Sequence, residues 1–167
     1  MSSPAILCLL LISLILFSTP AVGDDALTVY EALQQYGFPV GILPVGVTSY
    51  ELDTSTGEFT VYFNETCTFN IDGYDLKYKT TVTGVVSTDK ITNLKGVQVK
   101  VLFLWVSIVE VSRDEDELSF SVGIASANFP IDSFVESPQC GCGFDCVNGV
   151  GERKSGEFNR TRFVSSS

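Results

Sequence analysis

Alternation at a period of two, sustained from Val47 to Ile124, constrains this chain more than any other feature. Successive side chains of a strand point to opposite faces, so apolar residues at every second position mark a sheet with one buried face. Tyr50 and Leu52 lead into a Thr54–Gly57 turn, after which Phe59, Val61 and Phe63 oppose Thr60 and Tyr62. Cys67, Phe69 and Ile71 alternate with Thr68, Asn70 and Asp72, and Leu76, Tyr78, Thr80 and Val82 with Lys77, Lys79, Thr81 and Thr83. The run Val97 to Val111 is apolar through its middle, where Val101–Val109 reads as one long strand buried on both faces. Arg113–Glu117 is a charged turn, and Leu118, Phe120, Val122 and Ile124 resume the pattern. Short strands and close turns predict a mainly β fold, an antiparallel barrel or two-layer sandwich.

One short helix is expected ahead of the sheet. Ala26, Val29, Tyr30, Leu33 and Tyr36 recur at three- and four-residue spacing and form one apolar stripe. Asp25 can cap it and Gly37 can end it, while Thr28 with Glu31 offers a rival capping box further along. Pro39 and Pro44 then forbid regular structure.

The N-terminus reads as a secretory signal: an apolar stretch from Ala5 to Phe17, then Ala21-Val22-Gly23 as cleavage site. The stretch is shorter than the ~20 apolar residues of a membrane span. The expected organisation is therefore a signal peptide over 1–23, a β-rich domain over 24–146 and a flexible tail over 147–167. Secretion to the extracellular space or another secretory compartment follows, with no transmembrane anchor left after cleavage. Cys8 leaves with the signal, so Cys67, Cys140, Cys142 and Cys146 remain, an even set expected to be bridged in an oxidising compartment. Four cysteines allow three pairings. Sequons at Asn64 and Asn159 are candidate glycosylation sites.

Longer strings carry a resemblance. Tyr36-Gly-Phe-Pro-Val-Gly-Ile-Leu-Pro44, Val47-Thr-Ser-Tyr50, Ile71-Asp-Gly-Tyr74 and Thr83-Gly84 stand in order. Leu94-Lys-Gly-Val-Gln-Val-Lys100 runs into Leu102-Phe-Leu-Trp105, and Phe120 to Pro130 and Cys140 complete the series. Over roughly Leu27 to Cys140 the chain resembles the land-plant secreted domain-of-unknown-function family 538. The resemblance implies a β-rich, barrel-like domain with a leading helix and no assigned reaction. Lipid or amphiphile binding and ester hydrolysis have both been suggested for such domains, neither with a residue motif to carry over. The segment Gly141–Cys146 extends past the end of the resemblance. The preferred pairing is Cys67 with Cys140, leaving Cys142 with Cys146 as a local bridge.

The chain has no histidine, which removes Ser-His-Asp and Cys-His nucleophilic sites and histidine-containing metal centres. No nucleophile elbow, Walker loop or dinucleotide fingerprint is present. No catalytic residue, metal or cofactor is therefore assigned. The cysteine cluster could ligate a metal through thiolates, but compartment favours disulfides. Asp114-Glu115-Asp116-Glu117 lacks the alternation of a calcium loop and reads as a solvated turn, as do Asp72 and Asp75 about Gly73-Tyr74. A net charge of −10 argues against nucleic acid. Twelve Phe, six Tyr and one Trp are a generous aromatic supply. Most fill the core, and a surplus can line a pocket. The functional expectation is thus a binding domain for an apolar or amphipathic, lipid-like small molecule, with Phe103, Trp105, Phe120 and Val122 as candidate lining residues. A protein or polysaccharide interaction module is the alternative, its partner unspecified, and weak ester hydrolysis a second.

Overall fold

The computed structural model describes residues 27–71, 73–144, 146 and 163–165. The expected signal segment with Cys8, the cap Asp25, the helical Ala26, Asp72, the sequon Asn159 and most of the expected tail lie outside the described residues.

Among the described residues ten strands form one antiparallel sheet: β1 (Val47–Leu52), β2 (Glu58–Phe63), β3 (Cys67–Ile71), β4 (Tyr74–Ser87), β5 (Lys90–Val101), β6 (Leu104–Ser107), β7 (Glu110–Asp114), β8 (Glu117–Ser121), β9 (Ala125–Pro130) and β10 (Phe163–Ser165). The order is β1-β2-β4-β5-β7-β8-β9-β10, with β3 beside β4 and β6 beside β5. Among the described residues no pairing joins β1 to the far edge, so the sheet curls without closing into a barrel.

Curvature originates in β4 and β5. The first half of β4 pairs with β3 (Cys67↔Tyr78 to Ile71↔Tyr74), and its second half pairs with β2 (Val61↔Val82). Between them the β4–β5 register jumps from Tyr78↔Val97 to Thr83↔Lys95, leaving extra residues on β4 that bend the strand. Thr80, which strict alternation would bury, is exposed in this bend. Gly96 makes the bend possible: its φ is +92°, and a Cβ there would stand 2.3 Å from the Thr81 carbonyl oxygen.

Elsewhere the alternation survives. Cys67, Phe69 and Ile71 are buried with exposed residues between them, and Val61 and Phe63 face the same interior. The expected long strand Val101–Val109 does not exist. β5 ends at Val101, turns through Leu102 and Phe103, and returns as β6 with Val101↔Leu104 and Val99↔Val106 paired. Leu102 has φ +57°, the left-handed conformation that two-residue hairpin loops require and that Gly or Asn usually supplies. A run of apolar residues therefore conceals a turn.

Helix α1 (Val29–Gln35) begins at the later of the two anticipated caps. Thr28 Oγ1 accepts from the Glu31 amide at 3.2 Å, and the Thr28 amide donates to Glu31 Oε2 at 2.8 Å. The Thr28 amide and hydroxyl both donate to the Glu31 carboxylate and hold it below its ordinary pKa. Two turns cannot persist alone, so the helix depends on its anchorage. The Tyr50 hydroxyl donates to the Leu27 carbonyl (2.6 Å) and that of Tyr30 to the Pro44 carbonyl (2.9 Å). At the other end the Asp89 amide donates to Tyr36 O (2.8 Å), and the Arg113 guanidinium to Gly37 O. Gly37, with φ +84°, ends the helix as expected.

Disulfides join Cys67 to Cys140 and Cys142 to Cys146, so all four sulfurs are in bonds. The first bridge ties the arm after β9 to β3, where the Gly141 amide also donates to Thr68 O at 2.7 Å.

Candidate functional site: an apolar cavity beneath the helix

The stripe of α1 and the inner face of the curled sheet do not meet everywhere. Val29, Ala32, Leu33 and Tyr36 form one wall of a cavity of about 70 Å³. Tyr50, Phe59 and Val61 from the first hairpin, Tyr78 and Val82 from β4, and Leu94 and Val97 from β5 form much of the remainder. A second cavity of about 40 Å³ lies beside it, between Ile71, Leu76, Val99, Val122 and Phe129. Ile108 and Phe120 line both. Phe120 packs in an aromatic cluster, 5.8 Å from Phe129 and 5.5 Å from Phe134 between ring centroids.

Every lining residue is apolar or aromatic, and the only ionisable groups are phenols. The Tyr78 hydroxyl is committed to the Ile42 carbonyl at 2.6 Å, and burial pushes its pKa well above the ordinary phenol range. Among the described lining residues there is no carboxylate, amine, imidazole or thiol. Such a cavity can exclude water and hold hydrocarbon. Leu33, Tyr36, Leu52 and Phe59 are only partly buried and form its rim.

The candidate residues read from sequence are scattered. Phe120 lines both cavities and Val122 the second. Phe103 is exposed at the β5–β6 turn. Trp105 is on the outer side of β6, with Lys77 Nζ 3.8 Å from its ring centroid. Neither lines a cavity. Asn64 is exposed between β2 and β3. Asp114–Glu117 forms a tight exposed turn between β7 and β8. Sequence reasoning missed Ala32 and Tyr78: the small residue leaves the gap, and the tyrosine fixes its floor.

A polar groove of about 710 Å³ runs nearby over Glu51, Asp53, Glu58, Thr60, Asn93 and Lys95. Its Asp53 already accepts from the amide and hydroxyl of Ser55, which lowers its pKa. No helix among the described residues is long and apolar enough to cross a membrane.

An uncharacterized protein of Arabidopsis thaliana is 36% identical over 95 residues, which cover 56% of this chain and 55% of the relative. The chain thus spans about half the length of that curated relative. The family described as "Protein of unknown function, DUF538" matches residues 29–135, from the first residue of α1 to just past β9. With its capped helix, curled antiparallel sheet and apolar interior, the chain belongs to the DUF538 family.

Proposed function

We propose that the domain is a non-catalytic binding module for a slim apolar or amphipathic chain, received between α1 and the inner face of the sheet. The observation that carries this reading is the cavity itself, wholly apolar at a place where protein interiors are normally filled. A void of 70 Å³ costs roughly 1.7 kcal/mol by the ~24 cal/mol per Å³ of core cavities. An occupant would recover that loss. Size limits the occupant, since an apolar cavity of ~150 Å³ takes about one benzene ring. A single alkyl chain suits the space once Phe120 turns aside and joins the two cavities; a fused ring system does not. Each methylene buried there contributes roughly 0.8 kcal/mol before association entropy, so a segment of a few methylenes binds no better than micromolar.

The alternative, a polysaccharide or protein interaction module, would use the polar groove instead. The two readings separate in one experiment. Single-chain amphiphiles of increasing length are titrated while thermal unfolding is followed, for the natural chain and for Ala32→Leu, which fills the void. The cavity reading expects saturable stabilisation of the natural chain, and an Ala32→Leu protein that is more stable without ligand and indifferent to it. Equal responses from both proteins would exclude the cavity as the site.

A further inference from the structure

Among the described residues, Ile124 (83% exposed) and Val135 (65%) stand apart, whereas three other strongly exposed apolar residues are consecutive. Leu102, Phe103 and Leu104 are 86%, 79% and 61% exposed, and together they make the convex tip of the β5–β6 hairpin. Water-exposed hydrocarbon on this scale marks a contact surface. A second observation concerns the backbone: Leu102 occupies the left-handed region at φ +57°, where glycine would sit without strain. The tip thus carries a bulky apolar side chain at the one position whose geometry disfavours it.

Behind the tip the chemistry changes by one row. Trp105 pairs with Lys100 across the hairpin, Lys77 Nζ sits over the indole, and Lys100 Nζ stands 3.6 Å from the Asp75 carboxylate. Apolar tip, then indole, then lysine heads is the order of a bilayer leaflet read from acyl region to phosphate. We propose that this hairpin is a membrane-docking tip that seats Leu102, Phe103 and Leu104 among acyl chains, with Trp105 at the headgroup level. The occupant is a bilayer surface and not a protein, since three residues on a convex turn cannot supply the ~800 Å² per partner of a stable protein interface. Net charge selects the headgroup. The chain carries −10 overall, and Asp75 offsets one of the two lysines at the tip, so a zwitterionic surface is favoured over an anionic one.

The proposal stands apart from the cavity reading, because Ala32→Leu leaves the tip untouched. Trp105 is the only tryptophan, so its fluorescence reports this one place. The full chain is titrated with phosphatidylcholine vesicles, with and without acyl-chain bromination, beside Leu102→Gly and Leu102→Gly/Phe103→Ser. Leu102→Gly relieves the left-handed leucine, so weaker binding by that variant is not a folding defect. The apolar N-terminal segment is common to all three chains and cannot produce a difference among them. The expected result is a blue shift and bromine quenching of Trp105 in the natural chain. Apparent affinity should fall roughly tenfold or more in the double variant, one tenfold step being the loss of about one buried apolar side chain. No Trp105 response in the natural chain, or an equal response in the double variant, would overturn the proposal. Tip-dependent self-association without vesicles would overturn it too, by making the tip a contact between copies.

Discussion

The Tyr78 hydroxyl, in the middle of the longest strand, donates to the carbonyl of Ile42 in the turn that follows the helix, at 2.6 Å and fully buried. This bond joins the floor of the cavity to the segment that carries its roof. Tyr78→Phe leaves the Ile42 carbonyl buried without a donor, and a loss of about 1–3 kcal/mol in denaturant unfolding is expected.

The same phenol sets a pH dependence. Burial raises its folded-state pKa above the ordinary value of 10.0, and burial acts in the same direction on Tyr30. Below the ordinary value both folded and unfolded chains keep the proton, and the contribution is whole. Above it the unfolded chain ionises first, so stability falls as pH rises toward the folded-state value. Urea midpoints measured from pH 8 to pH 11 should be level at first and then decline, with a shallower decline in Tyr78→Phe.

Gly96 is the second test of the architecture. A Cβ at this position would meet the Thr81 backbone oxygen at 2.3 Å, and φ is +92°. Backbone cannot swing aside as a side chain does, so Gly96→Ala is expected to cost more than the ~1 kcal/mol of conformational strain alone. A midpoint unchanged by the substitution would show that the β4–β5 bend is not a fixed feature.

Much of this fold was legible because period-two alternation reports burial directly. Cys67, Phe69 and Ile71 went to the core for that reason, and the polar turns at Thr54–Gly57 and Arg113–Glu117 announced themselves by composition. The Leu102–Phe103 turn was not legible, since no Gly, Asn or Pro marks it and its apolar residues read as buried strand. That error displaced Phe103 and Trp105 from the surface to an imagined interior. Phe120 lies in β8 and Val122 just past its end, and both follow the alternation inward, but Ile124, which the same pattern would bury, is 83% exposed. The cavity could not be read from the alternation, because it arises from the mismatch between Ala32 and a distant strand.

The two disulfides should differ in weight. The bond between Cys67 and Cys140 spans 73 residues, and the chain-entropy relation gives about 4 kcal/mol for a loop of that length. Cys142–Cys146 spans only 4 and should contribute less. Paired substitution to alanine, compared by thermal unfolding, should rank them in that order. Intact mass with and without reduction should show no free thiol among the four.

The most direct test of the binding account is methyl NMR of the isoleucines. Ile42, Ile91 and Ile108 line the cavity beneath α1, while Ile124 is 83% exposed outside it. On titration with a single-chain amphiphile, the account predicts saturable shifts at Ile42, Ile91 and Ile108, with Ile124 unmoved. Shifts confined to Ile124, or none at the three cavity methyls up to millimolar ligand, would contradict it.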